Sequence, residues 1–409
     1  MSGRLQPLRQ IEFRRFLAMR SALTIAYQIQ AVVCGWEIYR LTGDPLSLGL
    51  IGLAEAIPSI SIALYAGHLA DKSNKRNLLL WTVAAFFLCS GGLALVTSPE
   101  LQAAHSTAFT VNAMYALIFL SGFARGFYSP TGFSFIPQLI PKEQLSQATT
   151  LNSTIWQFSA IIGPALGGFL YAGFGMTGAM TTVLVFSVLS FVSVARISSK
   201  PVVQAGNKEP VADRLREGLR FVFGHKVILN ALALDMFSVL FGGAVALLPV
   251  FAEDILQVGP QGLGVLRAAP SVGAVLTMSW LSLRKVPGKA GTTLLWAVTG
   301  FGVTILLFGI STSFYLSLFL LFLNGAFDSV SVIIRANIIQ LETPDEMRGR
   351  VSAVNSMFIG SSNEIGSFES GLTARWFGAV GSVLFGGSMT LLIVGYTALK
   401  AKTLKEYSY

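Results

Sequence analysis

Charged side chains are scarce in this chain of 409 residues: Asp, Glu, Lys and Arg make up 12% of it, while 53% of the residues are hydrophobic. A soluble domain carries about 25% charged residues, so too little polar surface is present to hold the chain in water. Cysteine is nearly missing, and Cys34 and Cys89 both fall in apolar runs, which excludes a disulfide scaffold. His68, His105 and His225 are too scattered to act as metal ligands. The sequence lacks a Gly-x-x-x-x-Gly-Lys-[Ser/Thr] loop for nucleotide phosphates and any clustered nucleophile or acid–base set. An enzyme is therefore not expected, nor is a metal or cofactor. The net charge of +9 could suit nucleic acid, but the basic residues stand between apolar runs, where they suit anionic lipid headgroups instead. Residues 1–15 are basic, yet the segment after them is a full-length apolar run, so no cleavable signal is expected.

What fills the chain is long apolar runs. Spans are expected at 16–39, 46–70, 77–97, 110–136, 146–171, 176–195, 227–250, 260–283, 291–311, 313–338, 350–372 and 377–399. About 20 helical residues cross the hydrocarbon layer, which is about 30 Å thick. The 41 glycines and 30 phenylalanines fit close helix packing and a lipid-facing exterior. An even number of spans returns both termini to one side. All of the 29 basic residues except Arg20, Arg40, Arg125, Arg267 and Arg375 fall on that side together with the 67–76 turn. Lys and Arg mark cytoplasmic segments. The expectation is a multi-pass protein of the bacterial cytoplasmic membrane with both termini inside.

The longest polar segment, 196–226, holds seven basic and three acidic residues, with Pro201 and Pro210 near its start. Residues 211–223 alternate at helical spacing, as in an amphipathic helix lying at the interface. The segment divides the chain into six-span halves, 1–195 and 227–409. Short repeats agree with a duplication: Ile57-Pro58-Ser59 returns as Ala269-Pro270-Ser271, and Asn152-Ser153 as Asn355-Ser356. The second half keeps a basic turn (Arg284, Lys285, Lys289) but has no counterpart of Asp71.

The turn Gly67-His-Leu-Ala-Asp71-Lys72-Ser-Asn-Lys75-Arg76 fits Gly-x-x-x-Asp-[Arg/Lys]-x-x-x-[Arg/Lys], through which the chain resembles the major facilitator superfamily. Gly163-Pro164-Ala-Leu-Gly167-Gly168 in the fifth span resembles that superfamily's motif for proton-antiport exporters. The stretch 133–168 is most similar to the branch containing the enterobactin exporter and related bacterial drug efflux proteins. The resemblance implies an all-α membrane protein of twelve transmembrane helices in two pseudo-symmetric six-helix bundles. It also implies a conformational latch formed by Gly67, Asp71, Lys72 and Arg76. Gly163, Pro164, Gly167 and Gly168 would then contact the other half and seal a cavity.

Charges within spans carry the most weight, since each costs roughly 2.5–3.5 kcal/mol at mid-helix on insertion scales. Glu55 and Arg125 are expected near the bilayer middle, as is Asp328, with Asp235 nearer the cytoplasm and Arg267 nearer the outside. Arg125 and Asp328 occupy equivalent places in the two halves and are expected to face one cavity. Asp235, Asp328 and Glu55 are candidate proton carriers, opposed by Arg125; static salt bridges are the alternative. Glu364 and Glu369 stand further out, and Glu37 either snorkels or pairs with Arg40. Tyr27, Gln28, Gln30, Trp36, Asn112, Tyr128, Trp156, Gln157, Phe237, Arg267, Asn324 and Glu364 are candidate cavity residues. Such a lining suits a small amphipathic organic substrate. The reading that follows is export of a drug-like molecule or siderophore in exchange for protons, by a chain that works as a monomer among membrane lipids. Lipid or lysophospholipid flipping is the alternative.

Overall fold

The computed structural model describes residues 6–202, 211–283 and 288–408. The expected basic-turn residues Arg284 and Lys285 lie outside the described residues, as does the side chain of Asp71. Among the described residues all regular structure is helical. α1 (Ile11–Thr42), α2 (Leu46–Lys72), α3 (Lys75–Val96), a short α4 (Pro99–Ala104), α5 (Thr107–Phe135) and α6 (Leu145–Ala195) precede α7 (Val211–Gly224). Then come α8 (Lys226–Phe241), α9 (Leu248–Val250), α10 (Gly259–Ser282), α11 (Ala290–Ile310), α12 (Phe314–Glu342), α13 (Arg348–Lys400) and α14 (Lys402–Lys405).

Nine helical segments among the described residues are long and apolar enough to cross a bilayer, and α2 carries a shorter apolar stretch. α6, with 51 residues, and α13, with 53, are too long for a single crossing. Each reverses at a glycine in the left-handed region: Gly175 with φ 64° and Gly378 with φ 76°. A side chain would be strained there. The two bends stand 203 residues apart within a repeated Phe-Gly-x-x-Gly (Phe174-Gly175…Gly178 and Phe377-Gly378…Gly381). A Cβ on Gly381 would come within 2.8 Å of Phe377 Cβ, so the second glycine makes room for the phenylalanine at the bend. Counting both halves of α6 and α13 and adding α2 gives twelve spans.

The chain groups into two compact units. One comprises Met1–Thr42 and Ala54–Lys208, the other Gly43–Leu53 and Glu209–Tyr409. The core of the first unit gathers Phe13, Phe16, Leu17 and Met19 of α1 with Leu79 of α3, Phe135 of α5 and Ala148 and Val194 of α6. In the second, Ala231 and Leu234 of α8 pack with Leu294 and Val298 of α11, Ile334 and Ile338 of α12 and Val394 of α13. Large apolar side chains also point outward, Trp81 being 76% exposed and Trp296, Tyr315 and Leu399 similarly open. In water such a surface would aggregate; in a bilayer it meets acyl chains.

Local sequence explains the ends of several helices. Asn74, Ser98 and Ser106 cap α3, α4 and α5 by accepting the backbone N–H groups of Asn77, Leu101 and Phe109. The seventh span departs from expectation: rather than running unbroken over 227–250, α8 stops at Phe241. Gly242 and Gly243 follow, and a Cβ on either would stand 2.6 Å from a neighbouring atom (Phe301 Cε1 and Ser370 Oγ). The glycine pair lets the chain pass close to α11 and α13 before it re-forms as a 3-10 turn (Ala244–Leu247), α9 and a π-turn (Phe251–Ile255). α7 lies on the second unit, with Val222 packed among Ile228, Leu232, Val351 and Val354.

Candidate functional site

Charge in the first unit is centred on Glu55 of α2 and Arg125 of α5. Arg125 Nη1 donates to Glu55 Oε2 at 2.6 Å, and the two side chains are 47% and 21% exposed. Small residues make this pairing possible. A Cβ on Gly122 would meet Pro58 Cγ at 2.5 Å and the Glu55 carbonyl at 2.9 Å, and one on Gly126 would meet the Ser59 carbonyl at 3.2 Å. The Gly122–Gly126 spacing thus brings α5 against the backbone of α2, as small residues do between membrane helices. Arg125 was expected to stand opposite Asp328; its carboxylate partner is Glu55, in its own unit.

Tyr27 of α1 lies within electrostatic reach of both Glu55 and Arg125. Its ring is 4.0 Å from that of Phe86 on α3 and 6.4 Å from that of Tyr128 on α5. The Arg20 guanidinium sits 5.7 Å from the Tyr128 ring centre, a distance at which a cation is attracted to the π-face.

The second unit holds a deeper pair that the span-by-span reading missed. Asp235 of α8 ion-pairs with Arg335 of α12. They are 6% and 3% exposed, and Ser331 Oγ donates to Asp235 Oδ1 at 3.4 Å. By sequence position Arg335 falls with the basic residues at the polar end; it is buried within α12, seven residues before the helix ends. Two helical turns earlier on the same face stands Asp328, which is part-buried and has no hydrogen-bond or ionic partner among the described residues.

The cavity candidates separate into groups. Gln30 and Asn324 are buried in helix packing instead of lining a passage. Gln30 accepts from Ser90 at 2.6 Å, and Asn324 donates to Thr304 Oγ1 at 3.2 Å and to the Phe301 carbonyl at 3.3 Å. An amide in an apolar span needs such partners. Asn112, Trp156 and Phe237 are exposed, Trp36 is buried, and Gln28, Gln157, Arg267, Glu364 and Glu369 are part-buried. The Glu364 carboxylate comes 3.7 Å from a Cβ built on Gly52 of α2.

The fifth-span glycines Gly163 and Gly167 pack against α1 of their own unit. A Cβ on Gly163 would meet Gln28 Cβ at 2.5 Å, and one on Gly167 would meet Ile29 Cα at 3.2 Å, so both abut α1 of the same unit. Pro164 and Gly168 are buried beside them. Of the motif turn, Gly67 has open space around it and Lys72 is exposed. Arg76 donates to the Ala195 carbonyl at 2.8 Å, Arg15 donates to that of Arg196, and Glu12 pairs with Lys200 at 2.5 Å. Cations thus satisfy the free carbonyls at the end of α6. At the opposite end of α1, Glu37 does not snorkel. It is 1% exposed, is held by Arg40 at 2.7 and 3.0 Å and by Gln102 at 3.1 Å, and accepts from the Tyr171 hydroxyl.

The family model described as transmembrane secretion effector matches residues 2–408. The uncharacterized MFS-type transporter YfiS of Bacillus subtilis is 24% identical over 380 residues, covering 90% of this chain and 87% of its own. The enterobactin exporter EntS of Shigella boydii is 23% identical over 367 residues, covering 85% and 80%. A D-xylose-proton symporter of known structure superposes with a TM-score of 0.74 at 15% identity, over 98% of this chain and 100% of that one. A bacterial homologue of the iron transporter ferroportin, in its inward-facing state, gives 0.70 at 16% over 95% and 99%. The sequence match spans nearly the whole chain and the structural matches share its fold. The chain therefore belongs to the transmembrane secretion effector family within the major facilitator superfamily, and it is a multi-pass membrane transporter, not an enzyme.

Proposed function

We propose that the protein exports an amphipathic organic compound, a drug-like molecule or siderophore, from the bacterial cytoplasm in exchange for entering protons. Both termini face the cytoplasm in this reading, and two six-span halves joined through 196–226 alternate access to a shared site. The observation that carries it is Asp328, a carboxylate inside an apolar helix with no partner among the described residues. A charge so placed is expensive, and intramembrane acids of this kind mark proton or ion pathways. Glu55 and Asp235 are already neutralised by Arg125 and Arg335. They hold helices together, and in this reading Asp328 is the proton carrier. Similarity to a protein named as an enterobactin exporter supports the outward direction and the organic cargo.

Everted membrane vesicles energised by respiration test this with a panel of fluorescent amphipathic compounds. The expected result is saturable accumulation of at least one compound, collapsing when a protonophore is added. Gradient-insensitive movement of a labelled lysophospholipid, with no accumulation of any panel compound, would instead make the protein a lipid flippase.

A further inference from the structure

Arg20 is an intramembrane cation that the proposed transport cycle leaves without a task. It stands on α1 nine residues from the helix start, inside the first unit, and is part-buried. No acid pairs with it among the described residues, and its Nε is buried without a hydrogen-bond partner. Its guanidinium rests 5.7 Å from the centre of the Tyr128 ring, and a Cβ built on Gly132 would lie only 3.6 Å from its Nη1. Arg125, by contrast, is neutralised by Glu55, and Arg335 by Asp235. The buried hydroxyl of Tyr27, which is likewise without a partner, stands in the same cluster, one aromatic ring away from Tyr128. Arg20, Glu55 and Arg125 together leave one positive charge uncompensated beside the part-buried rings of Tyr27 and Tyr128.

A buried guanidinium donor without an acceptor costs free energy that a carboxylate or phenolate can recover through charge-assisted hydrogen bonds. Aromatic faces beside it give a flat apolar body a place to stack. We propose that this cluster is a binding subsite for the acidic group of an amphipathic aromatic anion, with Arg20 as the charge-recognising residue. The proposal rests on the transport reading above and narrows its substrate class to organic acids.

Equilibrium binding tests it without any proton gradient, so a failure of coupling cannot imitate a failure of recognition. Purified protein in phosphatidylcholine nanodiscs is titrated with dansylglycine and with its neutral counterpart, dansylglycinamide. Wild-type protein should hold the carboxylate about tenfold or more tightly than the amide, the scale of one charge-assisted contact. Arg20→Gln should remove that preference while leaving amide affinity unchanged, and Arg20→Lys should keep most of it. Repeating the titration with phosphatidylglycerol in the disc separates a substrate anion from a lipid headgroup: the carboxylate preference should persist. Wild-type protein that binds the two probes alike, or neither, overturns the proposal whatever the variants do. So does an equal loss of both probes in Arg20→Gln, or retention of phosphatidylglycerol that depends on Arg20 and displaces the carboxylate.

Discussion

Asp328→Asn is expected to abolish concentrative efflux while leaving downhill exchange of substrate intact. Asparagine keeps the size and polarity of the side chain but can neither take up nor release a proton. One net charge moving through about 100 mV yields about 2.3 kcal/mol, enough to sustain roughly a fiftyfold gradient of substrate. A variant that no longer carries the proton should therefore fall from such a gradient to none. Exchange of labelled for unlabelled substrate across a vesicle membrane requires no net proton movement and should continue. Steady-state accumulation in everted vesicles and exchange in reconstituted vesicles, measured on the same protein, read the two quantities separately. A full gradient sustained by Asp328→Asn would remove this residue from the coupling mechanism.

Breaking the Asp235–Arg335 pair is expected to damage the fold itself. Both groups are almost completely buried, and removing one partner leaves the other charge stranded in the apolar interior. Such a loss costs about 3–5 kcal/mol, whereas replacing both charges with apolar residues of similar size is often neutral. Arg335→Met and Asp235→Leu should each lower the yield of folded protein and its midpoint of thermal unfolding sharply. The double variant should recover much of that loss. A double-mutant cycle on unfolding in detergent supplies the comparison; single variants as stable as the parent would mean that the pair does not join α8 to α12.

Depth was legible in the sequence and direction was not. The spans could be placed because runs of about 20 apolar residues have few alternatives as structure, and even the two bends inside α6 and α13 had a signal, the repeated Phe-Gly-x-x-Gly at Gly175 and Gly378. Depth alone also picked out Glu55, Arg125, Asp235 and Asp328. Pairing depends on rotation about the helix axis, which scarce charges on greasy helices barely constrain. Equivalence between the halves points Arg125 toward Asp328, whereas the Gly122–Gly126 spacing, which admits the α2 backbone, brings it to Glu55. Arg335 escapes a reading by depth because it stands close to the end of its span, where a basic residue is ordinarily wetted. Gly163 and Gly167 announced a close approach without saying to which helix; it is α1. Gln30 and Asn324 show the same limit, since an amide in a span requires a partner and the sequence does not say whether that partner is substrate or Ser90 and Thr304.

Alternation between two states is tested most directly at the start of α2, which lies against α13 in the second unit. A Cβ on Gly49 would stand 3.0 Å from the Phe368 carbonyl and one on Gly52 2.9 Å from Ser367 Cβ. Cysteines at Gly52 and Ser367, in a background lacking Cys34 and Cys89, would need only slight relaxation to reach disulfide geometry, in which Cβ atoms stand about 3.5–4.5 Å apart. If α2 must leave α13 in each cycle, oxidation should arrest efflux of any transported panel compound and a reductant should restore it. Efflux that continues at the reduced rate constant with the disulfide fully formed would contradict alternating access through this contact.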